Sequence, residues 1–121
     1  MAVVLIIDDS PTELHLFQNT LEKAGFKTLV ADSGEEGLKT AKTARPDCIL
    51  MDVVMPGMNG FQATRKLTKD PMTADIPVIM ITGKDQETDK IWGMRQGAVE
   101  YLVKPVADKD LVSMINTVVA G

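Results

Sequence analysis

The sequence predicts an α/β fold in which parallel strands are joined by crossover helices. The 121 residues, 45% hydrophobic and 25% charged, suffice for one globular domain with a single core. Five short apolar runs alternate with segments of helical periodicity. The first and third runs lack polar alternation, which is typical of strands covered by helices on both faces. We therefore expect one domain over residues 1–121, with no second domain after the final helix.

The elements follow one another in a regular order. The predicted strands are the apolar runs at residues 3–8, 27–31, 47–52, 78–82 and 99–103. The first helix begins after Ser10, which forms a capping-box pattern with Glu13, and it ends near Gly25. A second capping-box pattern, Ser33 with Glu36, begins the second helix.

The remaining helices are predicted at residues 60–69, 86–95 and 111–120, the last opening near Asp108. The fourth has an irregular apolar pattern around Gly93, and glycine inside a helix costs about 1 kcal/mol relative to alanine. We expect that helix to be a weakly packed, mobile element. Helical spacing gives the inward faces of the first, third and last helices: Leu14, Phe17 and Leu21; Phe61, Thr64 and Leu67; Leu111, Met114, Ile115 and Val118.

Charge and composition exclude several classes of function. The net charge of −4 and the 4% aromatic content argue against nucleic-acid binding. The first apolar run is short and ends in two aspartates, so neither a membrane span nor a secretory signal is predicted. Cys48 lies in an apolar run and is expected to be a buried, inert thiol, and His15 an exposed helical residue. We expect a cytoplasmic protein.

Polar residues end four of the five predicted strands. They are Asp8 with Asp9, then Asp52, Thr82 and Lys104. Because an open parallel sheet binds ligands at the carboxyl ends of its strands, these side chains are expected to share one site. Three crowded carboxylates repel one another unless a cation lies among them. Oxygen ligands without histidine or cysteine favour Mg²⁺.

The same residues predict a chemistry. A metal ion, the Lys104 ammonium and the Thr82 hydroxyl around one aspartate would bind a phosphoryl group. Attachment of that group to the aspartate would give an acyl phosphate. Asp52 is the best acceptor, because Asp8 and Asp9 adjoin each other as metal ligands. Taken singly, each polar residue is equally compatible with an ordinary strand end, but their recurrence at four strands favours a site.

Four separated motifs resemble the receiver domain of two-component response regulators. They are Asp8-Asp9-Ser10, Asp52 with the following Val53-Val54-Met55-Pro56-Gly57-Met58-Asn59-Gly60, Thr82-Gly83, and Tyr101-Leu102-Val103-Lys104-Pro105. The resemblance covers the whole chain and implies a doubly wound five-stranded parallel sheet of order 2-1-3-4-5, the flavodoxin-like receiver fold. Residues 83–98 look most like the stand-alone, chemotaxis-like receivers of twitching motility by type IV pili.

The resemblance implies a role for each site residue. Asp52 would accept the phosphoryl group and Lys104 would pair with its oxygens. Mg²⁺ would be bound by Asp9, Asp52 and the backbone carbonyl of Val54, and Asp8 would act through water. Catalysis would therefore rest on Asp52 and Lys104, together with Thr82.

Thr82 and Tyr101 look like the family's switch pair, a hydroxyl and a ring whose packing changes on phosphorylation. The resemblance also favours a cis peptide between Lys104 and Pro105. The implied donor is a histidine kinase or a histidine phosphotransfer domain. The implied target is a protein that binds the fourth helix, fifth strand and fifth helix of a monomer. The implied activity is self-phosphorylation and self-dephosphorylation, without turnover of a substrate.

Other functions fit the residues less well. A flavodoxin-like electron carrier would need a Ser/Thr/Gly-rich phosphate loop where this chain has Asp8 and Asp9. A P-loop enzyme would need a Gly-rich sequence ending in Gly-Lys-Ser/Thr, which is absent. A hydrolase of the dehalogenase type would need an aspartate at Val54. Two alternatives stay open: a phosphate sink in another pathway, and a non-phosphorylated receiver that acts as a binding module.

Overall fold

The computed structural model describes residues 2–120, so Met1 and Gly121 of the predicted domain lie outside the described residues. Strands and helices alternate along this part of the chain. The strands are β1 (Val3–Ile7), β2 (Lys27–Ala31), β3 (Cys48–Met51), β4 (Val78–Thr82) and β5 (Glu100–Val103). The helices are α1 (Pro11–Lys23), α2 (Gly34–Ala44), α3 (Gly60–Lys69), α4 (Glu87–Arg95) and α5 (Asp108–Ala120).

The strands form one parallel sheet in the order β2-β1-β3-β4-β5, which confirms the predicted fold class. On one side of β1, Val3 lies opposite Lys27 of β2. On the other side, Val4 lies opposite Cys48 of β3. The strand order reverses between β1 and β3, and open α/β sheets bind ligands beyond the carboxyl ends of the strands at such a point. The fold therefore predicts a ligand site beside the residues that follow β1 and β3.

Helices cover both faces of the sheet, and alternate strand residues supply the two cores. On one face Ile6 packs in a cluster with Leu21 of α1 and Leu111 of α5. On the other face Ile7 packs with Leu67 of α3. All four residues of β3 are buried. This two-sided burial explains why the first and third strands read as continuous apolar runs.

The predicted inward faces of α1, α3 and α5 are confirmed, since every residue assigned to them is buried or partly buried. Cys48 is fully buried, and burial raises the pKa of its thiol to about 12, as expected of an inert thiol. His15 lies on the exposed side of α1, within 3.2 Å of the Asn19 amide. None of the helices in residues 2–120 has the length and apolarity that crossing a membrane requires.

Three of the predicted strands are one residue too long at one or both ends. The strands do not include Asp8, Asp47, Asp52 or Val99. The backbone pairing nevertheless runs slightly past the strand ends, because the Asp52 N–H donates to the Ile7 carbonyl at 3.0 Å. The acidic residues are therefore held by the sheet although they lie just outside its strands. The Lys104–Pro105 peptide is cis.

The two predicted capping boxes are half formed. The Ser10 hydroxyl accepts from the Glu13 N–H at 3.3 Å, and the Ser33 hydroxyl accepts from the Glu36 N–H at 3.1 Å. Neither glutamate side chain returns a hydrogen bond to its cap within the described residues. In α1 the physical reason is visible, because the Ser10 N–H donates to Asp8 Oδ1 at 2.9 Å instead. The Glu13 carboxylate is thereby left for another partner.

Helix α4 approaches the sheet through a glycine. A Cβ atom on Gly93 would lie 2.7 Å from Met80 Sδ and 3.0 Å from Tyr101 Cδ2. Gly93 is the one buried residue of the helix. Its larger apolar neighbours are exposed: Ile91, Trp92 and Met94. The apolar pattern is irregular because α4 packs against the sheet through Gly93, while its larger apolar side chains face solvent.

Candidate functional site

Three carboxylates meet at the carboxyl ends of β1 and β3. Asp8 and Asp9 follow β1 and Asp52 follows β3. One oxygen from each lies within 4.8 Å of the other two. Asp8 and Asp52 are 2% and 8% exposed, while Asp9 faces solvent. The predicted acidic cluster is therefore assembled by the sheet, with one side open for a ligand.

Lys104 brings a positive charge to this cluster from the end of β5. Its backbone N–H donates to the Thr82 carbonyl at 2.8 Å, which continues the pairing of β5 with β4. Its Nζ lies 3.0 Å from Glu13 Oε1, 3.4 Å from Asp8 Oδ2 and 3.8 Å from Asp52 Oδ1. One ammonium thus serves three carboxylates, and the nearest belongs to α1.

The surroundings raise the pKa values of two side chains of the site, Asp52 and Lys104. Burial raises the pKa of Asp52 to about 6, and the charge of Asp8 adds to that rise while Lys104 and the Val53 N–H oppose it. Burial lowers the pKa of Lys104, but its hydrogen bond with Glu13 and the charges of Asp52 and Asp8 outweigh burial, so the net pKa is raised. The site therefore holds excess negative charge around a protonated lysine.

The predicted switch residues lie on β4 and β5. Thr82 is 1% exposed, and its hydroxyl accepts from the Lys84 N–H at 3.3 Å. Tyr101 is 7% exposed, and its hydroxyl donates to the Lys84 carbonyl at 2.9 Å. Burial and the charges of nearby acidic residues raise the pKa of Tyr101 to about 12, so its hydroxyl keeps its proton. Both side chains thus bond the backbone of the same residue.

The loop after β3 shapes the open side of the cluster. The Val54 side chain is 61% exposed, so it does not cover the carboxylates. The start of α3 lies directly against the acceptor strand, because a Cβ on Gly60 would overlap the Asp52 carbonyl oxygen and lie 2.8 Å from Val53 Cα. The Gly60 N–H donates to the Val53 carbonyl at 2.9 Å. Backbone contact therefore fixes the loop beside the predicted acceptor.

The donor atoms of the cluster fit a hard divalent cation. They are carboxylate oxygens from Asp8, Asp9 and Asp52, and none is nitrogen or sulfur. Lys104 supplies one positive charge to these three carboxylates, and the charges of Asp8 and Asp9 add to the rise that burial causes in the pKa of Asp52. A cation that retains part of its water shell, as Mg²⁺ does, suits a site with few protein ligands and an open side.

Sequence reasoning missed Glu13 as a member of the site. It was assigned to helix capping, yet its side chain makes the shortest of the ion pairs to Lys104. The sequence offered a weak signal, namely an acidic residue in the first turn after Asp8 and Asp9. That signal is shared by many ordinary helix starts.

Comparison with known proteins gives a consistent result. The family described as response regulator receiver domain matches residues 4–116. The protein PilH of Pseudomonas aeruginosa is 57% identical over 121 residues, which is 100% of both chains. The phosphate regulon transcriptional regulatory protein PhoB of the same organism is 36% identical over 115 residues, 95% of this chain and 50% of that protein.

Solved structures agree in fold. The chemotaxis protein CheY4 of Vibrio cholerae superimposes with a TM-score of 0.92 and 34% identity, covering 98% of each chain. A response regulator receiver domain protein from Clostridium thermocellum gives a TM-score of 0.90 and 34% identity over 99% of this chain and 95% of that chain.

Proposed function

This chain belongs to the response regulator receiver family, and on that premise we propose that it is a phosphorylation-controlled switch with Asp52 as the phosphoryl acceptor. One observation carries the proposal: Asp52 shares a sheet edge with two further carboxylates and with the Lys104 ammonium, 3.8 Å away. The donor is a phosphohistidine on a histidine kinase or a phosphotransfer domain. The chain performs its own phosphorylation and dephosphorylation and turns over no other substrate.

The transfer step follows from the chemistry of the acceptor. An ionised Asp52 oxygen attacks phosphorus, the phosphorus–nitrogen bond of the donor breaks, and its electron pair returns to the imidazole. The product is an acyl phosphate on Asp52. Lys104 pairs with the phosphoryl oxygens, and the Thr82 hydroxyl donates to one of them after leaving the Lys84 N–H.

Magnesium belongs to this proposal. Asp9, Asp52 and the Val54 carbonyl would hold the ion, and Asp8 would act through water. When bound, the ion supplies positive charge that offsets the carboxylates and the transferred group. The positive charge of the ion would lower the pKa of Asp52. Asp52 would then stay ionised at neutral pH, as a nucleophile must be.

The output surface in this proposal is the face formed by α4, β5 and α5. Four of the exposed large apolar side chains lie on these elements: Ile91, Trp92 and Met94 on α4 and Val103 on β5. Exposed apolar side chains on two elements that contact each other, as α4 and β5 do, are compatible with a protein interaction site. The Tyr101 ring lies beneath this face, against Gly93, so a change in its packing reaches the surface directly. The target is a downstream protein that binds the monomer.

The 57% identity with PilH over the full length of both chains supports a stand-alone receiver, and we extend the proposal to twitching-motility or chemotaxis-like signalling on that basis. The proposal also places the protein in the cytoplasm, in keeping with its single, buried cysteine.

Intact mass spectrometry after addition of Mg²⁺ and acetyl phosphate tests the proposal. The wild type should gain one phosphate that is lost at alkaline pH, and Asp52→Asn should gain none. Asp47→Asn is the matched control, since Asp47 precedes the same strand at its opposite end. Uptake of phosphate by Asp52→Asn at the wild-type rate would show that the acceptor is another residue. Absence of uptake by the wild type would favour a binding module without phosphorylation.

A further inference from the structure

Glu13 is the carboxylate that lies nearest to the Lys104 ammonium. Glu13 occupies the third position of α1, where a glutamate ordinarily returns a hydrogen bond to the cap residue. The Ser10 N–H that it would serve already donates to Asp8 Oδ1 at 2.9 Å. The sequence Asp8-Asp9-Ser10 therefore satisfies its own helix start and releases the Glu13 carboxylate.

The Glu13 carboxylate forms an ion pair with Lys104. Glu13 Oε1 lies 3.0 Å from Lys104 Nζ, whereas the predicted acceptor Asp52 lies 3.8 Å from it. The lysine side chain is 22% exposed and that of Glu13 33% exposed, so water screens this pair only in part. Lys104 Nζ also lies 5.8 Å from the centre of the Phe17 ring, within the range of a cation–π contact with α1.

We propose that Glu13 is a positioning residue that competes with Asp52 for the Lys104 ammonium in the unphosphorylated protein and so restrains phosphorylation. The inference rests on the proposed phosphorylation of Asp52. A phosphoryl group there needs the ammonium that Glu13 occupies, and the two anions compete for it. Each phosphorylation event must therefore loosen the pair between α1 and the end of β5.

The competition predicts the direction of a substitution. Glu13→Gln removes the charge but keeps a side chain that suits this helix position, as Gln62 shows at the same position of α3. The variant should therefore fold, and its phosphorylation rate with Mg²⁺ and acetyl phosphate should rise about two- to fivefold, the range expected for losing one partly exposed ion pair.

Glu36→Gln is the matched control. Glu36 holds the same position in α2, with the same hydrogen bond from its N–H to a serine cap, and forms no ion pair within residues 2–120. Its substitution removes the same charge and should leave the rate unchanged. An equal rise in Glu36→Gln would attribute the effect to net charge alone and would overturn the proposal.

A double-substitution cycle tests whether Glu13 acts through Lys104. Intact mass is followed over hours in Lys104→Ala and in Lys104→Ala with Glu13→Gln. The two rates should agree, because the lysine for which Glu13 competes is gone. If the twofold-or-greater rise persists without Lys104, Glu13 acts on the donor or on the fold, and the proposal is wrong. An unchanged rate in Glu13→Gln, with normal uptake by the wild type, overturns this inference and leaves the proposed function standing. Absence of uptake by the wild type overturns both.

Discussion

Two glycines mark two regions of the molecule that are built in different ways. At Gly60 a Cβ would overlap the Asp52 carbonyl oxygen, and its next neighbours are backbone atoms as well. At Gly93 a Cβ would instead meet Met80 Sδ and the Tyr101 ring, which are side chains. Side chains can move aside and backbone cannot. A side chain at Gly60 would therefore have to displace backbone beside Asp52, whereas a side chain at Gly93 would have to displace only the side chains of Met80 and Tyr101.

The helices that begin in the two regions also differ in how their N-termini are capped. Helix α3 begins with a complete capping box, in which Asn59 and Gln62 exchange hydrogen bonds. Helix α4 begins at Glu87, and the side chain of its cap residue Gln86 makes no capping hydrogen bond. A capped helix pinned by backbone contact suits a site that must hold its geometry. Helix α4, which lacks a side-chain cap and packs against the Tyr101 ring, suits a surface whose conformation changes when the site binds a ligand.

The largest effect is expected from Gly60→Ala. The new methyl group must displace the backbone at Asp52, which exceeds the usual cost of overpacking, and we expect a loss of about 4 kcal/mol of unfolding free energy. Urea denaturation followed by circular dichroism measures it. A loss below about 1 kcal/mol would mean that the loop after β3 yields easily, and the contrast between the two regions would fail.

The second prediction concerns the acidic cluster without metal. The pKa of Asp52 is raised to about 6 in the folded protein, so its contribution to stability is full below about pH 4 and is lost as pH rises through about 6. Asparagine does not ionise. In EDTA, Asp52→Asn should therefore exceed the wild type by up to about 3 kcal/mol at pH 7.5 and match it near pH 4.

Urea titrations of both proteins at several pH values provide the measurement. Adding Mg²⁺ should then raise the melting temperature of the wild type more than that of Asp52→Asn, because the ion binds the native state. A stability difference that does not vary with pH would exclude charge crowding at Asp52 as its cause.

Gly93→Ala should cost less than Gly60→Ala. The methyl group gains about 1 kcal/mol of helix propensity and must push Met80 Sδ and the Tyr101 ring aside, so we expect a net loss of about 1 kcal/mol. Displacement of the ring should also weaken the hydrogen bond from Tyr101 to the Lys84 carbonyl. Urea denaturation of Gly93→Ala and Gly60→Ala under the same conditions compares their losses of unfolding free energy. Equal losses in the two variants would contradict the predicted difference.

The smallest effect on stability, below about 1 kcal/mol, is expected from Thr82→Ala, which removes one hydrogen bond to the Lys84 N–H. Its effect on signalling should be larger. Mg²⁺ with acetyl phosphate should change the fluorescence of Trp92, which is 49% exposed on α4. Thr82→Ala should retain phosphorylation and lose most of that change. Identical fluorescence responses at matched phosphorylation would exclude Thr82 as the link to α4.

The sequence was sufficient for the sheet and for the acidic cluster. Parallel strands deliver their carboxyl ends to one edge, so Asp8, Asp52 and Lys104 could be brought together by counting strands. The partner of Glu13 could not be found in this way, because the same capping pattern precedes a helix whether the glutamate caps it or pairs elsewhere. Gly93 was predicted to weaken α4, and only the tertiary approach to Tyr101 explains why a glycine stands there.

The strand order also governs how the sheet can assemble during synthesis. The first three strands are complete at residue 51, and β2 and β3 both pair with β1. These strands can therefore form a sheet before the rest of the chain has left the ribosome. Strand β3 then presents an unpaired edge of four apolar residues until β4 arrives after residue 78. Such an edge pairs readily with strands of other chains. The nascent protein is therefore most exposed to aggregation during the interval in which α3 is being made.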